Sequence, residues 1–328
     1  MHTGNHYKLS EFIIWTRRDI YCIFIIAALV TALYDLAGFT WMALPWVAVA
    51  IVGTAAAFIV GFKNTQTYNR LWEARQIYGA IVNGSRSWGI MVQDFIKNNP
   101  QAHHELIYRH FAWLTALRYQ LRKPAAWENQ FKPYNKEYHT FFTVPEWSGS
   151  LEEELKAYLN QTEQQYILGK KNRATHLVAL QGKQLAKLAA EGAIDTFELV
   201  ELERRLADFY EQQGKCERIK NFPYPRQFSS ITLFFVWLFV IILPMGLVGE
   251  FNKIGTHCVW FTIPVSTLLA WVFTCMEKVG EATENPFEGG PNDVPITAMS
   301  RTIEIDLREM LDETTLPEPL QPVNNILM

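Results

Sequence analysis

The 328-residue chain has four cysteines, Cys22, Cys216, Cys258 and Cys275, widely separated and with no CxxC pair. This spacing excludes a disulfide framework, a thiolate metal site and a dithiol redox centre, and leaves buried or lipid-facing free thiols. No GxSxG and no GxxxxGK[ST] occurs, so a nucleophile elbow and a phosphate loop are both missing. Strand-like alternation is almost absent, and there is no repeat, no low-complexity tract and no carbonyl-filter motif of the potassium-channel type. The net charge of −3 gives no electrostatic reason to expect nucleic acid. A cleaved signal peptide is not expected, because the first apolar run starts near residue 20 and no small-residue cleavage site follows it.

What the chain does have is strong segregation of charge. Charged residues are rare over 20–62, 228–249 and 254–276, and dense over 63–226 and after 276. Each apolar stretch supplies roughly the 20 residues of a spanning helix, and the first is long enough for two, with Asp35, Gly38 and Pro45 marking the turn. Four spans follow, at about 20–40, 45–62, 228–249 and 255–276. Pro244 and Pro264 fall inside the last two and are expected to kink them. Arg17 and Arg18, Lys63, Arg70 and Arg75, Lys215 to Arg226, and Lys278 flank the spans on one side. By the basic-residue rule that side is cytoplasmic, so both termini and the middle region are assigned there, in a bacterial inner membrane. Trp15, Trp41, Trp46, Trp237 and Trp260 are candidate interfacial anchors.

The expected fold is an all-α membrane protein with long helices extending into a cytosolic helical domain. Its parts are 1–62 (first two spans), 63–227 (cytosolic), 228–276 (last two spans) and a cytosolic tail, 277–328. The second helix continues into water as far as about Asn98, and Asn99-Pro100 ends it. Further helices are read at 101–121, 150–168, 172–191 and 194–213, with Asp195 and Glu198 as a capping pair and 123–147 as an irregular excursion. The last dozen residues are expected to be mobile. Within the second helix Thr54, Phe58 and Phe62 recur at i, i+4 and i+8 and share one narrow stripe. One hydroxyl and two aromatics, flanked by Ala55 to Ala57 and Gly61, suit a packed or pore-facing surface better than a lipid-facing one.

Four blocks then carry a family resemblance: GFKNTQTYNRLWEARQIYGAIVNGSRSW (61–88), CERIKNFPYP (216–225), LPMGLVGE (243–250) and MEKVGEATENPFEGGPNDVPI (276–296), the last followed by SRTIEIDLREML. In this order, among these spans, they resemble the bestrophins and specifically their bacterial homologues; 120–195 is not placed by the likeness. The resemblance implies a homopentameric ion channel in the lipid bilayer, passing monovalent ions passively through a hydrophobic neck lined by the second helix. It places the neck rings at Thr54, Phe58 and Phe62, and a second, cytosolic constriction near Phe197. Thr54 departs from the bulky aliphatic residue usual at its position. No cofactor is implied. Anion and cation preference are both left open.

Other candidates read as structural. In animal relatives Asn285-Pro286-Phe287 runs into an acidic calcium clasp, but here Glu288 and Asp293 with glycines and a proline between are a poor oxygen supply, and a tight docking turn is the better reading. His103, His104 and His110 lack the partner spacing of helical metal motifs. Glu73, Arg75, Arg70, Glu217 and Arg218 suit ion pairs, and Gly84-Ser85 and Gly89 suit close helix packing. Two other function classes stay in view: a non-conducting membrane scaffold or accessory subunit of the same fold, and a membrane enzyme acting on lipid or pigment.

Overall fold

The structure is a computed structural model that describes residues 1–328. It contains helices and no β-sheet. The helices are α1 (Leu9–Asp35), α2 (Trp46–Phe95), α3 (Pro100–Arg122), α4 (Pro133–Tyr138), α5 (Pro145–Ser148), α6 (Leu151–Leu155), α7 (Gln161–Leu168), α8 (Arg173–Ala190), α9 (Thr196–Asn221), α10 (Arg226–Ile254), α11 (Thr262–Thr283) and α12 (Ile296–Met310). They form two compact units, one of Gly4–Arg70 with Pro223–Glu284, the other of Met1–Thr3, Leu71–Phe222 and Asn285–Met328.

The first unit holds α1, the first half of α2, α10 and α11. Its core is a strip of Ile23, Val49, Ala56, Val60, Val236, Phe239, Leu243 and Ala270. Gly53 is required here, because a Cβ on it would come within 2.7 Å of the Phe239 ring. Three helices are long and apolar enough to cross a membrane: α2, α10 and the segment Thr256–Thr283, which opens as a 3₁₀ turn and continues as α11. The first of the four expected spans does not join them. Helix α1 starts well before residue 20, and its apolar run is closed between Asp19 and Asp35, a length of about 22 Å at 1.5 Å per residue. The two prolines sit differently in their helices. Pro264 sits in the first turn of α11, where its missing N–H leaves no carbonyl unpaired, whereas Pro244 lies inside α10.

The second unit is built on α3, whose buried residues include Leu106, Phe111, Trp113, Leu117 and Leu121. Asn99 caps this helix by accepting the Ala102 N–H at 3.1 Å, and Pro100 fills its first position, so α2 stops at Phe95 and the chain reverses through Asn98 at φ +57°. Asp195 and Glu198 form the expected capping box on α9, which then runs on to Asn221 through Gly214. The stretch expected at 150–168 is two helices, because Asn160 starts α7 afresh by capping Glu163. Gly84 and Gly89 are the contact points foreseen for them, against Phe209 and Leu307. The excursion after α3 carries α4 and α5, and Glu128, Asn129 and Gln130 within it are buried.

The tail is docked, contrary to the expectation of mobility. His2 bridges Ile326, Leu327 donates its N–H to the Met1 carbonyl at 2.9 Å, and Ile326 and Met328 are buried against Phe142 and Val144. Ile326 and Met328, together with backbone hydrogen bonds to the N-terminus and to Ala298, anchor this proline-bearing tail.

His110 lies in this unit's core among Trp88, Trp113 and Phe209, with Nε2 2.8 Å from Ser85 Oγ. Burial lowers its pKa to about 3. Between the ordinary value near 6.5 and that value the unfolded chain binds a proton that the folded chain refuses. Stability therefore falls as pH drops through this window, by roughly 1.4 kcal/mol per pH unit. His110→Gln is expected to flatten the fall in melting temperature between pH 7 and pH 4. Equal slopes for the two proteins would contradict this reading.

Candidate pore-facing stripe

Helix α2 sorts its residues by face. Val49, Gly53, Ala56, Val60, Lys63 and Thr67 are buried on one side, at spacings of three and four. Thr54, Phe58 and Phe62 lie together on the other, Phe58 77% and Phe62 46% exposed. Thr54 donates its hydroxyl to the Ala50 carbonyl at 2.9 Å, so it turns its methyl and an acceptor lone pair outward rather than its proton. The Phe62 ring stands 6.1 Å from Phe228. No acid or base occurs on α2 before Lys63, so the stripe offers no counter-charge to a hydrated ion, and its one polar group is the Thr54 hydroxyl.

Phe197 belongs to the other compact unit, in the first turn of α9, and is 84% exposed. The capping box just before it fixes the backbone from which the ring projects. The three α2 residues thus form one continuous surface, and Phe197 is a separate exposed aromatic.

The remaining candidates are consumed by the fold. Asp293 Oδ2 accepts the N–H groups of Gly289 and Gly290 at 2.7 and 3.0 Å and the Arg122 guanidinium at 3.2 Å. Glu288 Oε2 accepts from Asn129 N–H and Asn285 Nδ2 at 2.9 and 3.1 Å. Burial raises the pKa of both carboxyls, and for Asp293 it outweighs the pull of Arg122. With these donors already seated, the turn is a closed structural plug, as its glycines suggested. His103 Nε2 meets the Ile96 carbonyl, His104 stacks on Tyr108 with ring centres 3.8 Å apart, and His110 is core, so the three histidines converge on nothing. Arg218 pairs with Glu73 at the surface, while Glu217 accepts from Gln120, Asn172 and Gln213. The cysteines are free thiols, and burial pushes Cys216 up to about 12.

Residues 12–309 match the family described as Bacterial/Fungal Bestrophin protein. The chain belongs to the bestrophin family. It is 28% identical over 274 residues to the voltage-dependent anion channel-forming protein YneE of Escherichia coli K12, covering 83% of this chain and 79% of that protein. It is 27% identical over 269 residues to the voltage-dependent anion channel-forming protein RSc3414 of Ralstonia nicotianae, with coverages of 81% and 78%. Its fold matches a crystal structure of a bacterial bestrophin homolog from Klebsiella pneumoniae with a TM-score of 0.76 at 22% identity, over 90% of this chain and 98% of that one.

What sequence reasoning missed in this bestrophin is how the stripe is aimed. Lys63, taken as a topology marker, is 1% exposed, and its Nζ lies 2.7 Å from Glu277 Oε1 on α11. The next residue, Lys278, reaches Asp19 on α1 at 2.5 Å and stands over the Trp15 ring. Adjacent acid and base on α11 therefore clamp two different helices. Asn64 adds a bond from Nδ2 to the Met276 carbonyl at 3.0 Å, and its Oδ1 would lie 2.2 Å from a Cβ on Gly280. The signal was present in the sequence: Lys63 falls on the buried register of Ala56, Val60 and Thr67, and a buried charge demands a partner. Removing one partner, as in Lys63→Met or Glu277→Gln, is expected to cost about 3–5 kcal/mol, and the double change Lys63→Met/Glu277→Leu to recover most of it. Thermal unfolding in detergent measures this. Single variants as stable as the parent would show that the pair does not hold the helices.

Proposed function

We propose that this protein is a homopentameric, multi-pass channel of the bacterial inner membrane, both termini cytoplasmic, passing monovalent anions passively through a neck lined by Thr54, Phe58 and Phe62. The observation that carries the reading is the sorting of α2, with Phe58 and Phe62 of the stripe exposed while the reverse face is closed. Packed around a symmetry axis, such stripes would make stacked apolar rings. An apolar ring offers an ion nothing in place of its water, so it gates by dewetting rather than by binding. The positive edges of the phenylalanine rings favour anions where they point inward. The printed names of the relatives, voltage-dependent anion channel-forming proteins, support the same sign. Phe197 on the cytosolic unit is the proposed second constriction, exposed as such a role requires. Family and relatives support a channel rather than an enzyme.

The reading is tested by the reversal potential of purified protein in planar bilayers under a chloride-salt gradient, with Phe58→Ala beside it. A potential near the chloride equilibrium value and a conductance several-fold larger in the variant are expected. A potential on the cation side would overturn the anion assignment. Silence from both proteins as intact pentamers would favour the non-conducting scaffold.

A further inference from the structure

A cavity of about 230 Å³ lies within the unit built on α3, between α3, the turn after α6, α12 and Leu320 of the tail. Its apolar lining is Phe111, Leu114, Pro145 and Leu320. Its polar lining is Arg118, Arg301, Thr115, Ser300 and Tyr158, with Glu154 and Glu304 among them. The carboxylates are already served. Glu154 accepts Tyr119 Oη at 2.6 Å and Arg118 at 2.8 Å, and Glu304 Oε1 accepts Arg308 twice, at 3.1 and 2.8 Å.

The guanidiniums are not. Arg118 is buried and pairs through its two amino groups with Glu146 and Glu154, yet its Nε–H has no partner. Arg301 approaches Glu304 through Nε at 3.3 Å, and its terminal amino groups donate to nothing in the chain. An unmet buried donor is costly, and a guanidinium presents its donors in the flat geometry that suits a carboxylate. The cavity thus combines surplus donors with apolar side chains in one lining. A cavity of about 150 Å³ accepts benzene, so this one has room for a ring-sized body and a carboxylate. Water would satisfy the donors but would leave Phe111, Leu114 and Leu320 facing a polar solvent.

We propose that this cavity binds a small carboxylate with a compact apolar body. The carboxylate is held by Arg301 and Arg118, and the body lies against Phe111 and Leu114 under Leu320. A ligand seated there would bridge α3, α12 and the tail. The inference concerns binding alone and holds whether or not the protein conducts.

The test uses the full-length protein in detergent, with benzoate as the probe and calorimetry or ligand-observed NMR as the readout. Benzamide and chloride are run in parallel, and so are two variants. Arg301→Gln removes free donors, while Glu304 keeps Arg308. Ala157→Trp fills the exposed rim without touching an ion pair. Saturable benzoate binding is expected, weakened at least tenfold in each variant, with no binding of benzamide and no displacement by equimolar chloride. The proposal is overturned if benzoate does not saturate, if both folded variants bind it as the parent does, if benzamide binds equally, or if chloride displaces it mole for mole.

Discussion

Lys63 is charged and almost wholly buried, and that combination is stable only because Glu277 Oε1 lies 2.7 Å away. The pair sets the rotation of α2 at the point where its apolar run ends. Phe62 directly precedes Lys63, so with the lysine turned into the bundle the phenylalanine is turned out, and Phe58 and Thr54 follow it up the same face. The neighbouring Lys278–Asp19 pair ties α11 to α1 at the same step of the chain. Two adjacent residues of α11 thereby help to hold the first unit in one arrangement, and the outward-facing stripe follows from it.

The second unit solves a different problem. Its α3 carries Arg109, His110, Arg118 and Arg122 on buried positions, and each needs a partner. Carboxylates come from distant segments: Glu163 for Arg109, Glu146 and Glu154 for Arg118, Asp293 for Arg122. These long-range pairs give the otherwise irregular stretch between α3 and α8 its purpose, since it delivers Glu146, Glu154 and Glu163 to the core helix. They also close the turn after Phe287, where backbone amides and Arg122 take up the acids that could otherwise face a cation.

The sequence was most legible where a single rule dominates. Hydropathy located α2, α10 and the Thr256–Thr283 segment, Asn99-Pro100 located the break between α2 and α3, and the Asp195/Glu198 pair located the start of α9. The stripe of Thr54, Phe58 and Phe62 followed from helical spacing, and the structure keeps it on one face. Reading failed where the outcome depends on partners far away in the chain. The Lys278–Asp19 pair joins residues some 260 apart and left no local signal. The tail looked loose by composition, yet it is held by Ile326 and Met328 meeting Phe142 and Val144. The α-helical part of the last apolar segment starts at Thr262, later than hydropathy placed it, because a 3₁₀ turn precedes it. Lys63 was read for its charge when its register was the stronger evidence.

The central claim is that the exposed face of α2 meets water and ions, and the buried face does not. The most direct measurement places a cysteine at Phe58 or at Val60, in a background with the four native cysteines replaced, and applies a charged, water-borne thiol reagent during current recording. The account predicts that the Phe58→Cys current is blocked within the exposure while the Val60→Cys protein is neither modified nor blocked. Unaltered current through a Phe58→Cys channel shown by mass to be modified, or block at Val60→Cys instead, would contradict it.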